Sequence, residues 1–246
     1  MASSPTALIV GAGQGIGLGF VRRFLESDRA DKLYATYRDP QSPLLKISDP
    51  RLHCLPLDIT DEAQIEAIAQ TIKAKSDKLY TIINCVGVLH DSEMQPEKSL
   101  RHLNTEQLLH YFQVNSVGAV LLAKHMQPLL KHEQRSILAT LSAKVGSIGD
   151  NRLGGWYGYR ASKTALNMFM RTVAIEYRRT CPKAIVVTLH PGTTDTELSR
   201  PFQRNVPPEK LFTPDRTVQQ LLTVLDQLQE KDSGEFFSWD GSQIPW

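Results

Sequence analysis

The sequence predicts an α/β protein: one doubly wound parallel sheet with helices on both faces, in a single domain spanning residues 1–246. Three observations predict it. Strand-like and helix-like segments alternate along the whole chain. Several of the strand-like segments are apolar throughout, as parallel strands covered on both faces must be. A glycine-rich segment, residues 11–17, joins the first strand to the first helix. The 246 residues, 41% of them apolar, suffice for one sizeable core.

The elements follow in order. Residues 6–10 form a short apolar run stopped by Gly11, the pattern of a buried strand. Residues 16–26 place Ile16, Phe20, Phe24 and Leu25 at helical spacing. Strands are expected at 33–37 and 52–57, then a helix at 62–73 with Ile65, Ile68, Ala69 and Ile72 on one face. Residues 79–86 are strand-like with little polar alternation. A long helical pattern covers 106–130, with Gly118 inside it and Pro128 near its end. A strand at 136–141, a helix at 157–179 and a strand at 184–189 follow, the last stopped by His190-Pro191-Gly192. A helix at 218–228 and a strand at 235–239 close the series. The Pro-rich stretch 191–214 is too long for an ordinary connection, so a covering loop is expected at about 193–213.

Composition excludes several classes. With 28 basic and 26 acidic residues the net charge is only +2, which argues against a nucleic-acid-binding surface. Cys54, Cys85 and Cys181 form no C-x-x-C pair, and the histidines form no H-E-x-x-H, so no metal site is expected. Three widely spaced cysteines suit reduced thiols rather than a disulfide framework. No apolar run approaches the ~20 residues that span a bilayer, so no membrane partner is expected. The first residues lack the basic and apolar regions of a signal peptide, and the expectation is a cytoplasmic protein.

The segment Gly11-Ala12-Gly13-Gln14-Gly15-Ile16-Gly17 carries the first chemistry. Glycines permit a tight turn and let the backbone approach phosphate oxygens. Free amides at the following helix N-terminus then face the negative charge. Between a strand and a helix, this is a cradle for the pyrophosphate of a dinucleotide.

The spacing G-x-x-x-G-x-G resembles that of the short-chain dehydrogenase/reductase family, and further motifs follow in that family's order. Asp58-Ile59 resembles the aspartate that contacts the adenine amino group. Asn84-Cys85-Val86-Gly87 resembles N-N-A-G with two substitutions, and Asn115 stands where the family carries its helix asparagine. Tyr159-Arg160-Ala161-Ser162-Lys163 matches Y-x-x-x-K, and Pro191-Gly192-Thr193-Thr194-Asp195-Thr196 matches P-G-x-x-x-T. Together these cover nearly the whole chain. Residues 146–151, 154–160 and the closing Ile244-Pro245-Trp246 are similar to the C-factor branch, which includes sniffer-type carbonyl reductases. The resemblance implies a Rossmann-type fold and a homodimer or homotetramer paired through the helices at 106–130 and 157–179. It also implies a nicotinamide cofactor held by Gly11, Gly13, Gln14, Gly15, Ile16, Gly17, Asp58, Ile59, Asn84, Val86, Gly87, Tyr159, Lys163, Pro191, Gly192, Thr194 and Thr196.

Arg38 bears on which nicotinamide cofactor binds. An NAD enzyme of this fold usually ends the second strand with an acid on the ribose 2′-hydroxyl. Here Tyr37 stands at that position and Arg38 follows. A guanidinium pairs with a 2′-phosphate, so NADP(H) is preferred over NAD(H), with Asp39 a possible competitor for Arg38.

Tyr159 and Lys163, four apart on a helix, share a face. A phenol near pKa 10 is a poor acid–base catalyst at neutral pH, and a nearby ammonium favours the phenolate. Tyr159 is therefore the expected proton donor to a carbonyl oxygen, with Lys163 lowering its pKa and holding the nicotinamide ribose. By resemblance, Asn115 anchors a water that relays protons to Lys163. The family's substrate-binding serine lies three residues before a glycine, and that position here is Ala143. Successive strand side chains point to opposite faces. Three readings remain: Ser142 serves after a local shift, Ser147 serves from the next loop, or Tyr159 is the sole donor. Ser142 is the favoured candidate of the three. Trp156 and Phe202 are candidate pocket walls.

The leading expectation is an NADPH-dependent carbonyl reductase acting on a small-molecule aldehyde or ketone. The alternative is a cofactor-binding, C-factor-like signalling protein with little turnover, since function is argued from the site rather than the fold.

Overall fold

The computed structural model describes residues 5–27 and 29–246; residues 1–4, on which the signal-peptide expectation rests, lie outside them. The strands are β1 (Thr6–Val10), β2 (Lys32–Tyr37), β3 (Leu52–Pro56), β4 (Thr81–Asn84), β5 (Ser136–Leu141), β6 (Ala184–His190), β7 (Thr193–Thr194), β8 (Leu211–Phe212) and β9 (Phe236–Ser238). The main helices are α1 (Gly15–Glu26), α2 (Glu62–Lys75), α3 (Thr105–Phe112), α4 (Gly118–Leu130), α5 (Tyr157–Thr180) and α6 (Pro214–Gln227). Among the described residues, seven strands form one parallel sheet in the order β3-β2-β1-β4-β5-β6-β9. The chain winds outward from β1 to β3, then crosses back to β4. That reversal opens a crevice at the carboxyl ends of β1 and β4, where sheets of this kind bind their ligands.

Strand alternation divides the core. Leu8, Val10, Leu138 and Val186 face one side, packed with Ile65 of α2, Leu122 of α4 and Leu166 of α5. Ile9, Ile83, Leu141 and Leu189 face the other, packed with Phe20 of α1 and Leu221 of α6. A third, smaller cluster of Leu89, Met94, Tyr111 and Tyr159 stands apart from both.

Three elements differ from the sequence expectation. β4 is shorter than 79–86, because the Asn84 carboxamide turns the chain by accepting from the Val86 N–H at 3.1 Å. The helix expected at 106–130 is interrupted by a π-helical turn, Gln113–Val117, between α3 and α4. α6 begins at Pro214 rather than 218, with Thr213 capping the Arg216 N–H and Pro214 in the first turn, where its missing N–H costs nothing. The stretch 193–213 has structure of its own: β7 pairs with β8 in parallel, and helical turns cover Arg200–Asn205 and Pro208–Lys210.

Candidate active site

The glycine segment lies where β1 runs into α1. The Gly15 φ is +55°, and a Cβ on Gly17 would stand 2.2 Å from the Gly11 carbonyl oxygen, so both positions require glycine. Gln14 precedes α1 in extended conformation and makes no side-chain cap, and the first turn carries no acid. The leading N–H groups of α1 are thus uncapped by the Gln14 side chain and have no acid in their own turn, as an anion cradle requires. Two residues not anticipated from the sequence hold this loop. Thr36 accepts from the Gly11 N–H at 3.0 Å, and Ser42 donates to the Gly13 carbonyl at 2.8 Å. Thr196 comes down on the same loop, its methyl 3.2 Å from where a Gly15 Cβ would lie.

Arg38 is exposed at the end of β2. Asp39 caps the Gln41 N–H at 2.8 Å, and among the described residues it makes no ion pair with Arg38. Asp58 closes a turn by accepting from the Thr60 N–H and hydroxyl. Those bonds, with the Arg38 and His110 charges, hold its carboxyl below the usual range. The Gly192 φ is +75°, which turns the chain after β6. Thr194 is buried, its hydroxyl 2.8 Å from that of Thr217 on α6.

Three elements converge on Lys163. Its side chain rises from α5 and Nζ donates to the Leu141 carbonyl at the end of β5, 3.0 Å away. A Cβ on Gly87 would lie 3.3 Å from that Nζ and 3.4 Å from Asn115 Oδ1, so Gly87 lies between the two. The π-helical turn carries Asn115, whose carboxamide accepts from the Val88 N–H and donates to the Val88 carbonyl and to Ser162 Oγ. Such turns widen a helix by one residue and recur at functional sites. Burial brings Lys163 down to about 8 and pushes the Tyr159 phenol above its ordinary value. Lys163 Nζ is 6.0 Å from the Tyr159 ring centre. The Tyr159 shift thus runs upward with burial, opposite to the lowering expected from Lys163.

Both candidate serines are buried and hydrogen-bonded within the fold. Ser142 is buried and its hydroxyl donates to Asn167 Oδ1 on α5 at 2.7 Å. It does not serve as the site's donor in this arrangement, because strand alternation turns it under α5. Ala143, the next residue, packs with the Tyr159 cluster instead. Ser147 is also buried, and its hydroxyl accepts from the Asp150 N–H at 3.1 Å. The 193–213 stretch sends Leu198 and Phe202 onto the same cluster. Trp156 meets Tyr159 edge-on at 6.1 Å and Phe202 at 4.9 Å.

Comparison with known proteins fits this geometry. The family described as short chain dehydrogenase matches residues 5–207. The structure of NADPH-bound carbonyl reductase from chicken fatty liver superposes with a TM-score of 0.88 at 30% identity, covering 99% of each chain. Benzil reductase ((S)-benzoin forming) of Saccharomyces cerevisiae is 30% identical over 82% of this chain and 76% of its own. C-signal of Myxococcus xanthus is 35% identical over 55% of this chain and 76% of its own.

Proposed function

The chain belongs to the short-chain dehydrogenase family of nicotinamide-dependent oxidoreductases, and from that premise we propose that it reduces carbonyl compounds with NADPH. The observation that carries the reading is Tyr159, a buried phenol packed among aromatic side chains on the same helix as a buried Lys163. The glycine segment, Asp58, Asn84, Gly87 and the 191–196 turn would hold the cofactor, and Arg38 would take its 2′-phosphate. A bound reduced nicotinamide supplies a hydride.

Every remaining step belongs to the protein. Tyr159 donates its proton to the substrate oxygen as negative charge develops there. Lys163, near 8, is poised to resupply that proton. Asn115 fixes its surroundings through Val88 and Ser162. Among the described residues Tyr159 acts as the side-chain donor to the oxygen, since Ser142 is engaged by Asn167, Ser147 caps the Asp150 N–H and Ala143 offers none. Trp156, Phe202, Met94 and Leu198 give the pocket apolar walls suited to an aryl substituent. The similarity to benzil reductase, named for an aryl diketone, supports that preference. The 193–213 stretch covers the substrate.

Exposed Leu109, Val117, Met168 and Ile175 on α3, α5 and the π-helical turn support association into a homo-oligomer. The second reading, a cofactor-binding signalling protein, is favoured by Ala143 and by the similarity to C-signal. A panel of aldehydes, ketones and quinones with NADPH separates the two. Reduction of aryl carbonyls by the parent protein supports the reductase. Tight NADPH binding with no turnover across the panel supports the second reading.

A further inference from the structure

Trp156 is the one non-glycine residue among those described with a left-handed backbone, at φ +52°. For a bulky side chain this is an outlier, persisting only where the surroundings impose it. It completes a run of three, since Gly154 and Gly155 have φ of +63° and +66°. The run is gripped from two sides.

Arg160, one turn into α5, grips the first side. Its Nε donates to the Gly155 carbonyl at 3.0 Å and Nη2 to the Gly154 carbonyl at 3.2 Å. Nη1 reaches the Val145 carbonyl at 3.3 Å. Glu97, from the segment after β4, grips the second. Its backbone carbonyl accepts from the Trp156 N–H, and its Oε2 accepts from the Gly158 N–H at 3.2 Å.

Glu97 is only 2% exposed, and its other oxygen, Oε1, is buried with no hydrogen-bond partner. A buried carboxylate oxygen without a partner is costly, and the positive end of the 24-residue α5 offsets part of that cost. The close approach also needs Gly158, where a Cβ would stand 2.9 Å from Oε1 and 2.4 Å from the Tyr111 ring. Tyr111 in turn meets Tyr159 edge-on at 6.2 Å. The carboxylate, the glycine and the left-handed run thus form one device around the first turn of the helix that carries Tyr159.

We propose that Glu97 and Arg160 are positioning residues that clamp Trp156 as a rigid wall beside Tyr159, and that this wall sets the affinity for aryl-bearing substrates. Neither residue reaches the reacting atoms; both act through the backbone of 154–158. The kinetic half rests on the reductase reading, and the structural half does not.

The test uses the full chain with Trp239→Phe and Trp246→Phe, which leaves Trp156 alone of the three tryptophans. Fluorescence anisotropy and acrylamide quenching then report on Trp156 without substrate or cofactor. Glu97→Ala and Arg160→Lys are expected to lower the anisotropy and increase quenching. Glu97→Gln keeps an oxygen for Gly158 and is expected to match the parent. With NADPH and an aryl ketone, the two loosening variants raise KM about tenfold, the loss of one hydrogen bond. KM for a short aliphatic aldehyde stays within about twofold, a split that general destabilisation would not produce. Unchanged Trp156 quenching in both loosening variants overturns the clamp. So does an equal rise of KM for both carbonyls, or failure of Glu97→Gln to restore the parent value. If the parent reduces no carbonyl, the reductase reading fails while the fluorescence still decides the clamp.

Discussion

Ala143→Ser is expected to accelerate the reaction. Ala143 packs with the Tyr159 cluster, so a hydroxyl placed there lies on the side where the substrate oxygen meets Tyr159. Removing one donor from such a site typically costs ~10²–10³ in kcat. A grafted hydroxyl lacks evolved support around it, so it recovers a fraction, about tenfold or more in kcat. Ser142→Ala is the control. It removes a buried bond to Asn167 and leaves that acceptor unpaired, at a cost of ~1–3 kcal/mol in stability. In a chain of this length that lowers Tm by roughly 2–12 °C. Its kcat on the folded protein stays within about twofold, because the hydroxyl never faces the substrate. Initial rates with saturating NADPH and an aryl ketone, beside thermal unfolding of each variant, measure both effects. No gain in Ala143→Ser, together with a hundredfold loss in Ser142→Ala of the kind a lost oxyanion donor gives, would falsify the sole-donor reading.

Other outcomes follow from the same geometry. Arg38→Ala should weaken NADPH binding by ~10–100-fold and leave NADH binding within about twofold, measured by cofactor titration; equal losses for both would remove Arg38 from the 2′-phosphate site. Lys163 loses its proton through about 8, so kcat/KM for carbonyl reduction should be flat near neutrality and fall as pH rises through that value. Alcohol oxidation should show the opposite trend, since it needs Tyr159 to accept a proton; a reduction profile flat to about pH 10 would contradict both roles. Light scattering should show a dimer or tetramer, and Leu109→Asp with Met168→Asp should shift it toward monomer.

Much of this was legible in the sequence, for identifiable reasons. Apolar runs such as 6–10 and 136–141 have one stable use, a strand covered on both faces, and both fall where expected. Strand alternation at Ser142 and Ala143 was equally readable, and the structure follows it against the preference for Ser142. The cap Thr213-Pro214 is a readable signal too, though the long Pro-rich stretch before it masks it. The π-helical turn at Asn115 was not legible, because an extra residue in a helix leaves the apolar pattern almost intact. Nor was the role of Glu97, whose partner Gly158 lies 61 residues away and depends on how α5 docks. Thr36 and Ser42 are ordinary polar residues until the fold sets them against the glycine loop.

The proposed reaction is hydride delivery to a carbonyl carbon with Tyr159 as proton donor. Its most direct measurement uses NADPH deuterated at the transferring position of the nicotinamide and an aryl ketone, with mass spectrometry of the alcohol product. One deuterium is expected on the carbinol carbon. Loss of nearly all turnover is also expected in Tyr159→Phe, with NADPH binding unchanged. An unlabelled product, or equal turnover by the parent and Tyr159→Phe, would contradict that reaction.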